Sequence, residues 1–255
     1  MLTIVIPTKN EEAHLSCLLE SIRKQTLQPA EIIVADAGST DQTRVIATSY
    51  GARIVEGGMP GPGRNRGAAA AQTDLILFLD ADVELRDSQF LEKSIGEMLE
   101  RKLDLATCDV FPLSDAWIDH VIHKAYNVYV RTWGDVFPHA PGFCMFVRRE
   151  LHETIGGFDE NVLFCEDHDY AGRAARIGSF GILKSTKIPV SIRRLDRDGR
   201  VNVAIKYTLA ELHLAMIGPI KHDRFKYTFG HHKIKFQKPR TKFQKILNSK
   251  FKIRP

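Results

Sequence analysis

Through the first 110 residues the apolar positions follow two patterns in turn. "LTIVIP" (2–7) is a continuous apolar run, and from Glu11 to Lys24 the apolar residues Leu15, Leu18, Leu19 and Ile22 recur at helical spacing. "EIIVADA" (31–37) is a second run, followed by "TDQTRVIATSYG" (40–51), a helix pattern with Thr40 or Asp41 as its cap and Gly51 as its stop. "ARIVE" (52–56), the short helix "GRNRGAAAAQ" (63–72), "DLILFLDA" (74–81) and the helix "SQFLEKSIGEMLERK" (88–102) continue the alternation. Continuous apolar strands separated by helices predict an α/β/α sandwich, a mostly parallel sheet covered on both faces. Such sheets bind ligands at the carboxyl ends of their strands. Thr8, Asp36, Asp80 and Asp82 all fall where a predicted strand ends.

Beyond residue 110 the alternation is less regular. Residues 114–134 predict a helix with its aromatic and aliphatic residues on a buried side. Residues 141–160 read as strand, short helix and Gly-Gly turn, and 166–178 as a helix opened by acids and closed by Gly178. "FGILK" (180–184) and "IPVSIRR" (188–194) predict two short strands, with "SIRRLDRDGR" (191–200) a basic loop. Residues 203–220 carry Lys206, Glu211 and His213 within an apolar pattern, so they predict an amphipathic helix and not a bilayer span. No linker divides the chain. The expected organisation is one domain over 1–220, in two halves of different pattern (1–110 and 111–220), followed by an extension over 221–255.

Charge distribution adds to this. The net charge of +5 conceals a basic end: residues 221–255 hold 12 Lys/Arg against one acid, Asp223. Phenylalanines and a tyrosine are interleaved there, a composition suited to an anionic membrane surface or to nucleic acid. The cysteines, Cys17, Cys108, Cys144 and Cys165, lack metal-ligand spacing and are expected to be reduced thiols in the core of a cytosolic protein. Met1 leads directly into a strand pattern without a basic n-region, so no secretory signal is expected.

Chemistry concentrates in three acidic places. Asp80-Ala81-Asp82 would place two carboxylates on one face of a strand end, where hard oxygen ligands suit Mg²⁺ or Mn²⁺; a solvated acidic turn is the plainer alternative. In "VADAGSTD" (34–41) a βα turn accounts for Gly38, Ser39 and Asp41 but leaves Asp36 without a role. "CEDHDY" (165–170), with Asp159 and Glu160 upstream, holds more acids than a helix start requires. The Gly-rich segment at 61–71 matches neither phosphate-loop pattern, although Arg64 and Arg66 are forked donors able to reach phosphate. His139 and His168 lie near these acids, and lone histidines are more often structural than ligating.

"VIPTKNEE" (5–12), "VADAGSTD" (34–41), "GRNRGAAAAQTDLILFLDAD" (63–82), "GFCMFVRRELHETIGGFDE" (142–160) and "EDHDYAGRAARIG" (166–178), in this order, resemble glycosyltransferase family 2, the inverting transferases of GT-A fold. The resemblance implies transfer of a sugar from a nucleoside-diphosphate donor, UDP favoured, to an acceptor hydroxyl in cell-envelope or polysaccharide synthesis. By position, Pro7, Thr8, Glu11, Asp36, Arg64, Asp80 and Ala81 would line the donor nucleotide site. Asp82, with Asp80, would hold Mn²⁺ or Mg²⁺, Asp167 would be the general base, and Glu166 would support it. Apart from the resemblance, Arg193, Arg194 and Arg197 in "SIRRLDRDGR" could clamp diphosphate or a phosphorylated acceptor, a solvated basic loop being the plainer alternative. The family often carries a second acid where this chain has Ala37, which loosens the expectation for the base. With such a body, the basic end points to the cytoplasmic membrane face and a lipid-linked acceptor in preference to nucleic acid. Two other readings remain at this point: a sugar-1-phosphate nucleotidyltransferase, and a non-enzymatic nucleic-acid- or membrane-binding protein.

Overall fold

The structure, a computed structural model, describes residues 1–58, 60–134 and 136–221. Its strands and helices are β1 (Leu2–Thr8), α1 (Leu15–Arg23), β2 (Glu31–Asp36), α2 (Thr43–Ser49), β3 (Arg53–Glu56), α3 (Pro60–Ala70), β4 (Leu75–Leu79) and α4 (Phe90–Glu100). The second half adds β5 (Leu105–Pro112), α5 (Trp117–Trp133), β6 (Cys144–Arg148), α6 (Arg149–Thr154), α7 (Glu166–Ala174), β7 (Phe180–Val190), α8 (Arg193–Asp198) and α9 (Arg200–Met216). Among the described residues the strands form one sheet in the order β3-β2-β1-β4-β6-β5-β7. All its pairings are parallel except those of β6, which runs antiparallel to β4 and β5.

The alternation of side chains along β1 divides the core. Ile4 and Ile6 face one cluster with Leu15, Leu18, Leu19 and Ile22 of α1, and Val5 faces the other with Ala68, Phe78 and Tyr170. The small residues of α3 are explained by its closeness to the sheet. A Cβ on Gly67 would lie 2.2 Å from Val5 Cγ1, so only glycine lets the helix rest on β1.

Several expectations need correction. Residues 105–112, given no strand in the sequence, form buried β5; Thr107 and Asp109 break its apolar run, and Arg131 Nε donates to Asp109 Oδ1 at 2.8 Å. The two short strands at 180–184 and 188–194 are one strand, β7, whose register on β5 shifts between Cys108 and Asp109. Residues 193–198, expected in a loop, form helix α8. Helix α5 buries Asp119 and Val130 and packs Tyr126 against the core, while Trp117, Val121, Val128 and Trp133 are exposed, so part of the apolar face expected inside lies in solvent. Cys17 is exposed and the other three cysteines are buried. Apart from Lys221, the basic extension lies outside the described residues.

Candidate active site

β1, β2 and β4 end side by side, and their last residues build one wall of the site. Thr8 Oγ1 donates to Asp36 Oδ1 at 3.3 Å. The Asp36 carboxylate also accepts the Ser39 N–H at 3.1 Å and lies 3.3 Å from Arg44 Nη1. Asp36 therefore has a structural role that the sequence did not disclose: it closes the β2–α2 turn. Asp41 accepts the Thr43 N–H at 3.0 Å, holding the start of α2.

Asp80 and Asp82 lie in a turn just beyond β4, not within a strand. Ala81 between them is buried in the core, which turns both carboxylates away from it. Each meets a different arginine. Arg64 spans two acids, with Nη2 2.9 Å from Asp80 Oδ1 and Nη1 2.8 Å from Glu166 Oε1. Arg193 forks onto Glu11 at 2.9 and 3.0 Å, and its Nε lies 2.9 Å from Asp82 Oδ2. Burial raises the Asp82 carboxyl above the ordinary range; Arg193 opposes the shift, while Asp80 and Glu11 add to it. Arg194 turns the other way and donates to the Tyr207 hydroxyl at 2.5 Å.

The opposite wall is the start of α7. Cys165, just before it, takes a left-handed backbone conformation (φ 56°), uncommon for a residue with a side chain and suited to re-aiming the chain at a functional position. Glu166 is buried. Burial and then Asp167 push its carboxyl up, while Arg64 holds it down. Asp167 Oδ2 accepts the Gly142 N–H at 3.0 Å and Oδ1 accepts the His168 N–H at 3.0 Å. A Cβ on Gly142 would come within 2.4 Å of Arg64 Cζ, so this glycine allows the backbone to lie against the guanidinium. Arg64 Nε is buried without a hydrogen-bond partner among the described residues.

The structure thus brings together Thr8 and Asp36; Glu11, Asp82 and Arg193; and Arg64, Asp80 and Glu166, with Asp167 beside the last group. Pro7 flanks α3, where a Cβ on Gly63 would meet it at 3.2 Å. The sequence reading missed Gly142 and Glu211. Glu211, on α9, lies 3.0 Å from His139 and 2.8 Å from His168. Against the burial that would lower it, Asp167 and Glu211 push the His168 imidazole up to about 9. The signal for Glu211 was its position as an acid inside an apolar helix pattern, but its partners are 72 and 43 residues away in the chain.

A seven-stranded sheet with one antiparallel strand, with strand-end acids on one wall and an acidic helix start on the other, is an α/β fold of the GT-A class. A family model described as glycosyl transferase family 2 matches residues 3–156, and the chain belongs to that family. Among relatives, the 4,4'-diaponeurosporenoate glycosyltransferase of Staphylococcus aureus is 38% identical over 112 residues, 41% of this chain and 28% of that protein. The O-antigen chain rhamnosyltransferase WbaN of Salmonella anatum is 26% identical over 197 residues, 69% of this chain and 61% of that protein. The chain therefore spans less than two thirds of either relative. Mannosyltransferase PcManGT from Pyrobaculum calidifontis, solved with GDP-Man and Mn²⁺, superposes with a TM-score of 0.65 at 20% identity, over 83% of this chain and 63% of that one. S. aureus TarS 1-349, solved with UDP-GlcNAc, gives 0.60 at 18% identity, over 84% and 73%.

Proposed function

We propose that the protein is an inverting glycosyltransferase that moves a sugar from a nucleoside-diphosphate donor, UDP favoured, to an acceptor hydroxyl in cell-envelope or polysaccharide synthesis. The observation that carries this is the pairing of Asp82 and Asp80 on one wall with Asp167 on the other, Arg64 spanning the gap between Asp80 and Glu166. Family membership also argues against a nucleotidyltransferase.

Asp82 and Asp80 are the residues that would hold Mn²⁺ or Mg²⁺. They are hard oxygen donors in a carboxylate-rich corner where burial alone disfavours Asp82's charge, so a cation suits them. When bound, the ion supplies charge neutralisation for a departing diphosphate. Arg193, which now lies against Asp82, would leave it for the diphosphate. Thr8, Glu11 and Asp36 form the nucleoside side of the pocket. Asp167 takes the proton from the acceptor hydroxyl as that oxygen attacks the anomeric carbon and the bond to the diphosphate oxygen breaks; one displacement inverts the centre. A positioned base of this kind contributes roughly 10²–10⁴-fold. Its two backbone donors fix the carboxylate and leave further lone pairs for the incoming proton. Glu166 is engaged by Arg64 and acts as a positioning group.

The test is transfer and UDP binding measured side by side. Asp167→Asn is expected to abolish transfer and keep UDP affinity, and Asp82→Ala to lose the Mn²⁺-dependent part of that affinity. Unchanged turnover in Asp167→Asn would overturn the assignment of the base.

A cytoplasmic location at an anionic membrane face, with a lipid-linked acceptor, forms part of the same reading. Its support is an outward apolar stripe on α9, Val201, Ile205, Leu209, Leu212 and Met216, running into an extension with 12 Lys/Arg. No described helix is long and apolar enough to cross a membrane. Sedimentation with phosphatidylglycerol vesicles should fall when Leu209 and Leu212 are changed to Ser. Equal sedimentation of parent and variant would remove the stripe from the reading, and retention on RNA without vesicle binding would favour nucleic acid instead.

A further inference from the structure

Behind Asp167 a second set of ligand atoms meets, away from the donor-side acids. His139 follows α5, His168 is in the first turn of α7, and Glu211 is on α9. His139 Nε2 and His168 Nδ1 approach the same oxygen, Glu211 Oε1, at 3.0 and 2.8 Å, and the imidazole centroids are 4.4 Å apart. His139 is 2% exposed. Among the described residues this is the one group of three potential ligands with all its donor atoms within 4.8 Å of one another.

His139 Nδ1 lies 2.5 Å from the Phe137 carbonyl oxygen, which can only accept, so Nδ1 carries the proton. His139 Nε2 faces Glu211 Oε1 at 3.0 Å, a spacing that either a proton or a metal ion can bridge. His168 Nδ1 is buried and out of line for a hydrogen bond despite its 2.8 Å approach to Glu211. Protons on the facing ring nitrogens would bridge the cluster, and so would one divalent cation.

We propose that His139, His168 and Glu211 bind a borderline divalent transition cation of the zinc type, distinct from the ion expected at Asp80 and Asp82. Two imidazole nitrogens and one carboxylate oxygen are the donors such a cation takes, whereas the donor-side acids offer oxygen alone, as Mg²⁺ or Mn²⁺ prefers. The Phe137 carbonyl on the far nitrogen of His139 is the outer-shell partner that fixes a ligating imidazole in the correct tautomer. Tetrahedral bonds of about 2.0–2.1 Å set neighbouring donors roughly 3.3 Å apart. Glu211 Oε1 lies 3.0 and 2.8 Å from the two ring nitrogens, within roughly half an ångström of that spacing, and all three donor atoms lie within 4.8 Å of one another. A fourth position remains for water. The ion would fasten α9 to the first turn of α7, directly after Asp167.

The experiment uses the full chain, purified without chelator, with zinc content measured by mass spectrometry. The protein is then stripped and titrated with Co²⁺ as a visible probe in excess Mg²⁺, which fills the all-oxygen site. One equivalent of zinc and a d–d band saturating at one equivalent of Co²⁺ are expected. The band should persist in Asp82→Ala, vanish in His139→Asn and Glu211→Gln, and be displaced by Zn²⁺. Absence of bound zinc together with absence of a band in the parent would overturn the proposal. So would a band unchanged in both site variants, or one lost in Asp82→Ala. Circular dichroism checks that the near-isosteric variants fold; if either does not, the parent and Asp82→Ala spectra decide.

Discussion

Removing the Arg64 guanidinium, as in Arg64→Met, tests how the two walls of the site are joined. The side chain is 3% exposed, and its two ion pairs differ in worth. Asp80 is 38% exposed in its side chain, so that pair is screened and contributes below about 1 kcal/mol. Glu166 is 10% exposed, and without Arg64 it becomes a buried charge beside Asp167. Breaking a buried pair from one side costs about 3–5 kcal/mol. Proton uptake by Glu166 recovers part of that, so the expected loss at slightly alkaline pH is about 3 kcal/mol. The sign with pH follows. In Arg64→Met the folded-state pKa of Glu166 lies further above its unfolded value. The neutral carboxyl therefore favours the fold at low pH, and that contribution is lost as pH rises through the folded pKa. The variant should be closer to the parent in mild acid than in mild alkali. Adding Glu166→Gln removes the stranded charge and should bring stability back to within about 1.5 kcal/mol of the parent. Urea unfolding followed by far-UV circular dichroism is the suitable assay, because Trp117 and Trp133 are 73% and 50% exposed and report poorly on the core. A single variant losing less than about 1 kcal/mol, or a double variant no more stable than the single, would refute the argument.

Gly142→Ala places a Cβ 2.4 Å from Arg64 Cζ and displaces either the guanidinium or the N–H that Asp167 accepts; turnover should fall at least about 10-fold with stability down by about 1–3 kcal/mol, read by kinetics and urea unfolding. Burial, and after it Arg173, holds the His152 imidazole down to about 4 from 6.5, beside the Tyr170 hydroxyl at 2.9 Å. Its neutral form is the folded one, so this contribution is present above pH 6.5 and is lost as pH falls from there toward 4. The parent should lose about 2.5 kcal/mol more than His152→Gln between mildly alkaline and mildly acidic pH. Equal losses in the two proteins would exclude His152 as the acid-sensitive group.

The N-terminal part of the chain was legible because local pattern and tertiary environment agree there. β1, β2 and β4 are apolar runs buried on both faces, and their acidic ends stand where strand-end chemistry is expected. β5 was not legible, because Thr107 and Asp109 find partners, the Cys144 carbonyl and Arg131, that only the folded chain supplies. Helix α5 misled for a related reason: its periodicity marked an apolar face correctly, but periodicity does not say whether that face meets a core or solvent. At the site, the acids were visible one by one. Their division between Arg64 and Arg193 was not, since those pairings cross 102 and 182 residues of sequence.

Helices α8 and α9 follow one another across Gly199, and between them they bring Arg193 to Glu11 and Asp82 and Glu211 to His139 and His168. A single stretch of polypeptide thus reaches both walls of the site. A version that stops before residue 193 forfeits both sets of contacts and one that stops before 211 forfeits those of Glu211, so the smallest fragment worth expressing must reach the end of α9, well past the last residue the family model recognises.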